Sequence, residues 1–211
     1  MKHTIAFCSI VFILLHLAGP AFGDELGKSI SGRHTSGRYS WLYGYRINLD
    51  ENRLLVRVGI HLVAAPGVTG VQLAGVQPEW EKEIERVWSN HFALETQNKT
   101  YPIVVDAVFK GPSLQHDVIV LPGGGRRTDE LTWHIMDSPQ TAAHEFGHML
   151  GLYDEYMGGA VDPLQKITDP GSIMTSAPVA GASRIRHYER FRQWFRTETG
   201  QEYVKLIPLK E

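Results

Sequence analysis

HEFGHMLGLYD, residues 144–154, is the stretch that decides how the rest of this sequence is interpreted. On an α-helix, His144 and His148 lie one turn apart on the same face, close enough for their imidazoles to bind one metal ion. Glu145 follows the first histidine and lies beside the metal, where its carboxylate can act on a metal-bound water as a general base. The spacing therefore predicts a catalytic zinc site of the HExxH type.

A third protein ligand is needed, because catalytic zinc usually has three and keeps a fourth position open. Asp154 lies ten residues after His144 and would point away from it on an unbroken helix. Gly151 can end the helix first, because glycine enters the left-handed conformation without a Cβ penalty. We therefore expect Asp154 as the third ligand, with the neighbouring Glu155 as the alternative.

The same region carries signals for both ends of the helix. Ser138 is a favourable N-cap, and Pro139 suits the first helical position, where its missing N–H is not needed. Gly151 follows the last turn. These signals predict a metal-binding helix from Pro139 to Gly151.

A methionine follows the motif, in the sequence Gly171–Thr175 (GSIMT). HEFGHMLGLYD followed by SIM resembles the metzincin clan of zinc peptidases, which share an extended HExxHxxGxx(H/D) motif and a methionine-containing turn beneath the metal. Asp154 stands where most members have a third histidine, as in snapalysin-like peptidases, and GLYDEY resembles bacterial immunoglobulin-A-protease-like members. Ser176 stands where astacin-like and serralysin-like members have an extra tyrosine ligand, so that ligand is not expected here.

The resemblance implies a secreted zinc-dependent endopeptidase. One Zn²⁺ would be held by His144, His148 and Asp154, with Glu145 as the general base and Met174 packed beneath the metal. Two alternatives stay open: a secreted metallopeptidase-like binding protein with a structural zinc, and a toxin or effector peptidase with one narrow target.

Residues 1–23 have the organisation of a secretory signal peptide. An apolar run, Ile5–Ala18, is followed by small residues around a cleavage position after Gly23. The run is shorter than the about 20 residues that span a bilayer, so we expect secretion or periplasmic export without a membrane anchor. Residues 24–38 are polar and glycine-rich, which predicts a flexible arm or short pro-segment before a catalytic domain, residues 39–211.

Hydrophobic patterns elsewhere predict a three-layer α/β (α+β) fold, and the metzincin resemblance implies that its sheet is mixed and twisted. Strands or extended segments are expected at Tyr45–Leu49, Leu54–Val63, Tyr101–Lys110, Asp117–Leu121, Leu131–Met136 and Tyr203–Leu209. Besides the metal-binding helix, helices are expected at Pro78–Leu94 and Ser183–Thr197. This order agrees with the metzincin layout, in which a sheet and a long helix precede the active-site helix, and a small C-terminal subdomain holds the methionine turn and a last helix.

The partners follow from charge and from the resemblance. A net charge of −2 gives no reason to expect nucleic acid, and we expect a monomer. By resemblance, the edge strand Leu131–Met136 binds a peptide or protein substrate by strand addition, with His134 as a sheet residue or a substrate contact.

Asp162 and Asp169 are candidates for a structural calcium, although turn residues are the more ordinary interpretation. Tyr156 is expected to pack, with hydrogen bonding to the reaction intermediate as the alternative.

Overall fold

The structure is a computed structural model that describes residues 26–111, 114–124, 128–176 and 181–209. The predicted signal peptide lies outside the described residues. Within these ranges the chain forms a curled mixed sheet and three α-helices, which confirms the predicted α+β class. No helix in the described part of the chain is long and apolar enough to cross a membrane.

The sheet has eight strands within the described ranges. They are β1 (Leu26–Ser36), β2 (Tyr39–Leu49), β3 (Leu54–Ala64), β4 (Phe92–Glu95), β5 (Thr100–Val108), β6 (His116–Leu121), β7 (Thr132–His134) and β8 (Lys205–Pro208). The order along the sheet is β1-β2-β3-β5-β4-β8, while β6 pairs with the second half of β3 and β7 pairs with β6. β3 is parallel to β5 and β6, and β6 is parallel to β7; the other pairs are antiparallel. The predicted strands are confirmed, with β7 shorter than expected.

Most of the N-terminal segment, residues 24–38, which was predicted to be a flexible arm or a short pro-segment, forms strand β1. β1 pairs antiparallel with β2 along its whole length. Gly37 turns the chain between them with a φ of 58°, a conformation that glycine adopts without strain. Gly32 leaves room for the hydroxyl of Tyr43, which would meet any Cβ at that position. Polar, glycine-rich composition describes exposed side chains and does not reveal this backbone pairing.

The helices are α1 (Gly70–Trp88), α2 (Pro139–Met149) and α3 (Glu189–Thr199), the last preceded by a 3₁₀ turn at Ile185–Tyr188. The predicted start of the first helix, at Pro78, was wrong. Thr69 and Gln72 form a capping box that starts α1 earlier: the Thr69 hydroxyl accepts from Gln72 N at 3.2 Å, and Gln72 Oε1 accepts from Thr69 N at 2.8 Å. Pro78 is exposed within the helix, where it costs one backbone hydrogen bond.

The predicted end of the first helix, at Leu94, was also wrong. Asn90 has a φ of 62°, a left-handed conformation that stops the helix and that asparagine tolerates better than most residues. The following residues then join the sheet as β4. The apolar positions that continue the helical pattern are therefore strand residues.

Two tryptophans attach α2 to the core. Trp80 of α1 packs edge-on against Trp133 of β7, with the ring centroids 5.1 Å apart. Trp88 Nε1 donates a hydrogen bond to Ala143 O of α2 at 2.9 Å. Trp80 and Trp88 are each 1% exposed, and burying such a side chain contributes several kcal/mol at about 25 cal/mol per Å². α2 is therefore held firmly against α1 and the sheet.

Candidate metal centre

The predicted start of α2 at Pro139 is confirmed, whereas the helix ends at Met149, two residues before the predicted end at Gly151. The Ser138 hydroxyl caps the N-terminus of α2, and Pro139 is its first residue. At the other end Gly151 has a φ of 84°, and Leu152 N donates to Gly147 O at 3.0 Å. This left-handed ending lets the chain turn back along the helix.

In both histidines of α2, Nε2 is the ring nitrogen that is available to bind a metal ion. His144 Nδ1 donates to Ile173 O at 2.9 Å, and His148 Nδ1 donates to Leu152 O at 3.0 Å. Because Nδ1 holds the proton, Nε2 of each neutral ring keeps its lone pair for a metal ion. Both side chains are buried, and their ring centroids are 5.1 Å apart.

The carboxylate of Asp154 forms a triangle with these two nitrogens. Oδ1 lies 3.3 Å from His144 Nε2 and 3.4 Å from His148 Nε2. Charge-assisted hydrogen bonds are shorter, at about 2.7–2.9 Å. Oδ1 is buried and has no hydrogen-bond partner among the described residues. Ligand atoms about 2.0–2.1 Å from one tetrahedral ion lie about 3.3–3.4 Å apart, so donor set and spacing both fit a metal ion.

The second carboxylate oxygen of Asp154 fixes the side chain. Oδ2 accepts a hydrogen bond from Ala160 N at 2.6 Å, and Asp154 N donates to Ala160 O at 3.0 Å. Gly159 lies against the same carboxylate, and a Cβ there would be 2.6 Å from Oδ2. Burial alone would raise the pKa of Asp154, but its contacts with His144 and His148 hold it well below the usual range. The carboxylate is therefore ionised, as a metal ligand must be.

Glu145 lies beside the two histidines in the protein interior. The candidate ligand atoms of His144, Glu145 and His148 all lie within 4.8 Å of one another, and all three residues are buried. This group could hold a metal ion. Burial raises the pKa of Glu145 to about 8, against the opposing effect of the charge on His144. A carboxyl group with a pKa near neutrality can both accept and release a proton.

The alternative third ligand, Glu155, is engaged elsewhere. Its carboxylate accepts hydrogen bonds from Arg186 at 2.6 and 2.5 Å and lies 3.2 Å from His187 Nε2. Burial would raise the pKa of Glu155, but His187 and Arg186 lower it to about 2. Glu155 N also donates to Met174 O at 2.8 Å. Of the two adjacent acidic residues, the structure therefore brings Asp154, and not Glu155, to the histidines.

Asp162 and Asp169, the two candidates for a structural calcium, bind other groups of the protein. Asp162 Oδ1 accepts a hydrogen bond from Leu164 N at 2.8 Å, as a turn residue does. Asp169 binds two arginines, Arg184 at 2.9 Å and Arg186 at 2.8 Å. The two guanidinium groups on the Asp169 carboxylate would repel a calcium ion. The pair therefore does not form a calcium site in this structure.

Met174 packs beneath α2. It is fully buried, and its sulfur occupies the space that a Cβ at Gly147 would need. The turn around it is held by the Ser172 hydroxyl, which accepts from Met174 N at 3.1 Å. The carbonyl of Ile173 in the same turn is the one that orients His144. The turn therefore supports α2 from below and fixes one candidate ligand.

The segment predicted to bind substrate contains β7, which is three residues long. β7 pairs with β6 and with no other described strand. His134 on this strand is buried, its N donates to Asp137 Oδ2 at 2.6 Å, and its Nδ1 lies 3.3 Å from Thr128 Oγ1. His134 is therefore a sheet residue that fastens the loop before α2.

Three residues near the site carry contacts that sequence patterns did not assign. Trp41 of β2 is buried, with its ring centroid 5.5 Å from that of His148. Burial raises the pKa of Glu130, whose charge acts on His148. Burial also raises the pKa of Tyr156, and its hydrogen-bond partner Asp154 raises it further. The contacts of Trp41 and Glu130 with His148 join separate elements, and no local pattern signals them; Tyr156 lies two residues from Asp154.

Comparison of the chain with protein-family models, with curated proteins and with solved structures finds no match. The site is therefore defined by its own geometry. A buried group of His144, Glu145 and His148 could hold a metal ion, and the Asp154 carboxylate lies within 3.4 Å of both imidazoles. The chain is therefore a candidate metal-binding protein with a mixed α+β fold.

Proposed function

We propose that this protein is an exported zinc-dependent endopeptidase of the metzincin type. The observation that carries the proposal is the buried triangle of His144 Nε2, His148 Nε2 and Asp154 Oδ1, with Glu145 beside it. Two imidazoles and one carboxylate are a ligand set that suits catalytic zinc, which keeps a further position open. The export part of the proposal rests on the pattern of residues 1–23.

The chemistry divides between the metal and the protein. Zinc held by His144, His148 and Asp154 would supply Lewis acidity, which would lower the pKa of a water molecule and polarise a peptide carbonyl. The Glu145 carboxylate accepts the proton of the attacking water and passes it to the leaving amine nitrogen. Burial raises its pKa to about 8 in the metal-free protein, and the charge of a bound zinc ion would lower the pKa again and favour the carboxylate that accepts the proton. The carbonyls of Ile173 and Leu152 keep each imidazole in the metal-binding tautomer.

The buried carboxylate of Glu145 favours a catalytic over a structural metal. A structural zinc site is closed by four protein ligands, often cysteines, and needs no base beside it. The sole cysteine of the chain is Cys8, within the predicted signal peptide. Glu145 is 6% exposed, and an acidic group this deep in the protein is costly unless it has a partner or a function.

We also propose that a peptide substrate binds along β7. The support is topological, since β7 has one neighbouring strand among the described residues and is followed closely by α2. An extended peptide added to such an edge gains main-chain hydrogen bonds regardless of its sequence. The outward-facing backbone groups of Thr132 and His134 are bonded to Asp129 and Asp137, so a peptide would have to displace these bonds to pair with β7.

The test is peptide cleavage by the mature protein, beginning at residue 24. Zinc-loaded wild type and Glu145→Gln are incubated with a diverse peptide library, with and without a chelator. We expect the wild type to cleave, the chelator to stop cleavage and added zinc to restore it. Glu145→Gln should keep its zinc and lose about 100-fold or more of the rate, the usual size of a general-base contribution.

The outcomes separate the alternatives. No cleavage of any peptide by the zinc-loaded wild type would contradict the proposal and favour a structural zinc. Cleavage confined to very few peptides would indicate a narrow-target peptidase. Full activity of Glu145→Gln would contradict the proposed proton transfer.

A further inference from the structure

The hairpin of β1 and β2 reaches around the loop that carries the third candidate ligand. We call residues 154–161 the ligand loop. Ser36, at the end of β1, donates from Oγ to Val161 O at 2.5 Å. Tyr39, at the start of β2, donates from its hydroxyl to Gly158 O at 3.0 Å. Both carbonyls belong to the ligand loop.

These two contacts flank the backbone that holds the Asp154 carboxylate. Ala160 N donates to Asp154 Oδ2 at 2.6 Å, and Ala160 O accepts from Asp154 N at 3.0 Å. Asp154 and Val161 also form an isolated β-bridge. Gly158 and Val161 lie on either side of Ala160 in the chain. The hairpin therefore holds both sides of the segment that sets the direction of Oδ1.

His34 of β1 contacts the chain just before the ligand. Arg190 Nη2 donates to His34 Nε2 at 3.0 Å, which leaves the proton on Nδ1. Nδ1 then donates to the hydroxyl of Tyr153 at 2.8 Å, and the imidazole stacks on Tyr43 with centroids 4.8 Å apart. Because Tyr153 immediately precedes Asp154, the hairpin binds the chain on both sides of the ligand.

The tip of the ligand loop is loosely packed, whereas Asp154, Glu155 and Ala160 at its two ends are buried. Met157 is 92% exposed, and a Cβ at Gly158 would meet nothing within 4 Å. Segments with few buried contacts open locally at low free energy. Hydrogen bonds supplied from outside the loop therefore have a large share in keeping it in place.

We propose that the hairpin is a clamp that keeps Asp154 directed at the two histidines. Ser36, Tyr39 and His34 are positioning residues, since they act through the ligand loop and do not face the metal centre themselves. The proposal rests on the proposed zinc site, because it concerns how that site is kept ready for its metal. It also makes residues 26–36 a permanent part of the working protein, and not a pro-segment to be removed.

The test compares Ser36→Ala/Tyr39→Phe with the control Ser40→Ala. Ser40 is on the same hairpin, but its hydroxyl accepts from Arg33 and does not reach the ligand loop. Zinc affinity is measured by competition with a chromophoric chelator. The visible absorption of the Co²⁺-loaded proteins reports the ligand set, with Asp154→Ala as the reference for a lost carboxylate.

We expect the double variant to bind zinc about 10-fold more weakly, from two hydrogen bonds of ordinary strength. Its Co²⁺ spectrum should shift toward that of Asp154→Ala, and Ser40→Ala should match the wild type within about twofold. Unchanged affinity and spectrum in the double variant overturn the clamp, even if the metal-free protein melts earlier. A wild type that binds neither Zn²⁺ nor Co²⁺ overturns the proposed zinc site, and the clamp with it.

Discussion

Gly159→Ala perturbs the candidate metal centre through a single methyl group. A Cβ at this position would lie 2.6 Å from Asp154 Oδ2 and 2.7 Å from Tyr156 Cζ. Close carbon–oxygen contacts are about 3.3 Å, so the carboxylate must move by about 0.7 Å. Gly159 is not among the glycines with positive φ, so the collision, and not backbone strain, is the source of the effect.

The size of the effect follows from the contacts that hold the Asp154 carboxylate in place. A shift of about 0.7 Å exceeds the about 0.2 Å tolerance of metal–ligand distances. It also lengthens the hydrogen bond from Ala160 N, now 2.6 Å, to a charged acceptor. Such a bond contributes about 1.5–3 kcal/mol. A loss of about 2 kcal/mol at this ligand weakens zinc binding by about 30-fold, since 1.4 kcal/mol corresponds to a factor of ten.

The assay is a zinc titration against a chromophoric chelator, with Gly75→Ala as the matched control. Gly75 is exposed on α1, and a Cβ there would meet nothing within 4 Å. The control should keep wild-type affinity and gain up to about 1 kcal/mol of helix stability. A folded Gly159→Ala protein that binds zinc as tightly as the wild type would refute the role assigned to the Asp154 carboxylate.

The metal-free protein should lose stability as the pH falls from about 5 to about 2. Glu155 has a pKa of about 2 in the folded protein against 4.5 as its ordinary value, so the unfolded chain takes up the proton first. Urea unfolding should show that the free energy of unfolding falls by up to about 3 kcal/mol over this range, which corresponds to a pKa shift of this size. Glu155→Gln should lack this contribution. Equal pH profiles for the variant and the wild type would contradict the prediction. Met174→Ala should lower the free energy of unfolding by about 2–5 kcal/mol, and Met174→Leu by less than about 1.5 kcal/mol, because the side chain is fully buried under α2. Identical melting of both variants and the wild type would show that this packing is unimportant. Ser138→Ala should cost about 1 kcal/mol through loss of the α2 cap, and unchanged thermal unfolding would argue against that cap.

Helix α2 could be predicted because its determinants are local. Ser138, Pro139 and Gly151 act on backbone groups within one turn of themselves, and the structure has all three in the predicted roles. The one-turn spacing of His144 and His148 follows from helix geometry alone. Local signals gave the wrong helix start where two of them competed. The capping box at Thr69 starts α1 upstream of Pro78, although proline usually marks a helix start.

The rest of the site could not be predicted because its contacts join residues far apart in the chain. Ser36 binds a carbonyl 125 residues away, and Tyr39 binds one 119 residues away. Neither has a sequence pattern that sets it apart from an exposed strand residue. The choice between Asp154 and Glu155 likewise depended on Arg186, which lies on a different element and takes up the Glu155 carboxylate.

We propose that His144, His148 and Asp154 hold one zinc ion, and crystals of the zinc-loaded protein, measured at the zinc absorption edge, would locate that ion directly. We expect one anomalous peak about 2.0–2.2 Å from His144 Nε2, His148 Nε2 and Asp154 Oδ1. A folded wild-type protein that retains no zinc, or a peak that lies away from these three atoms, would contradict it.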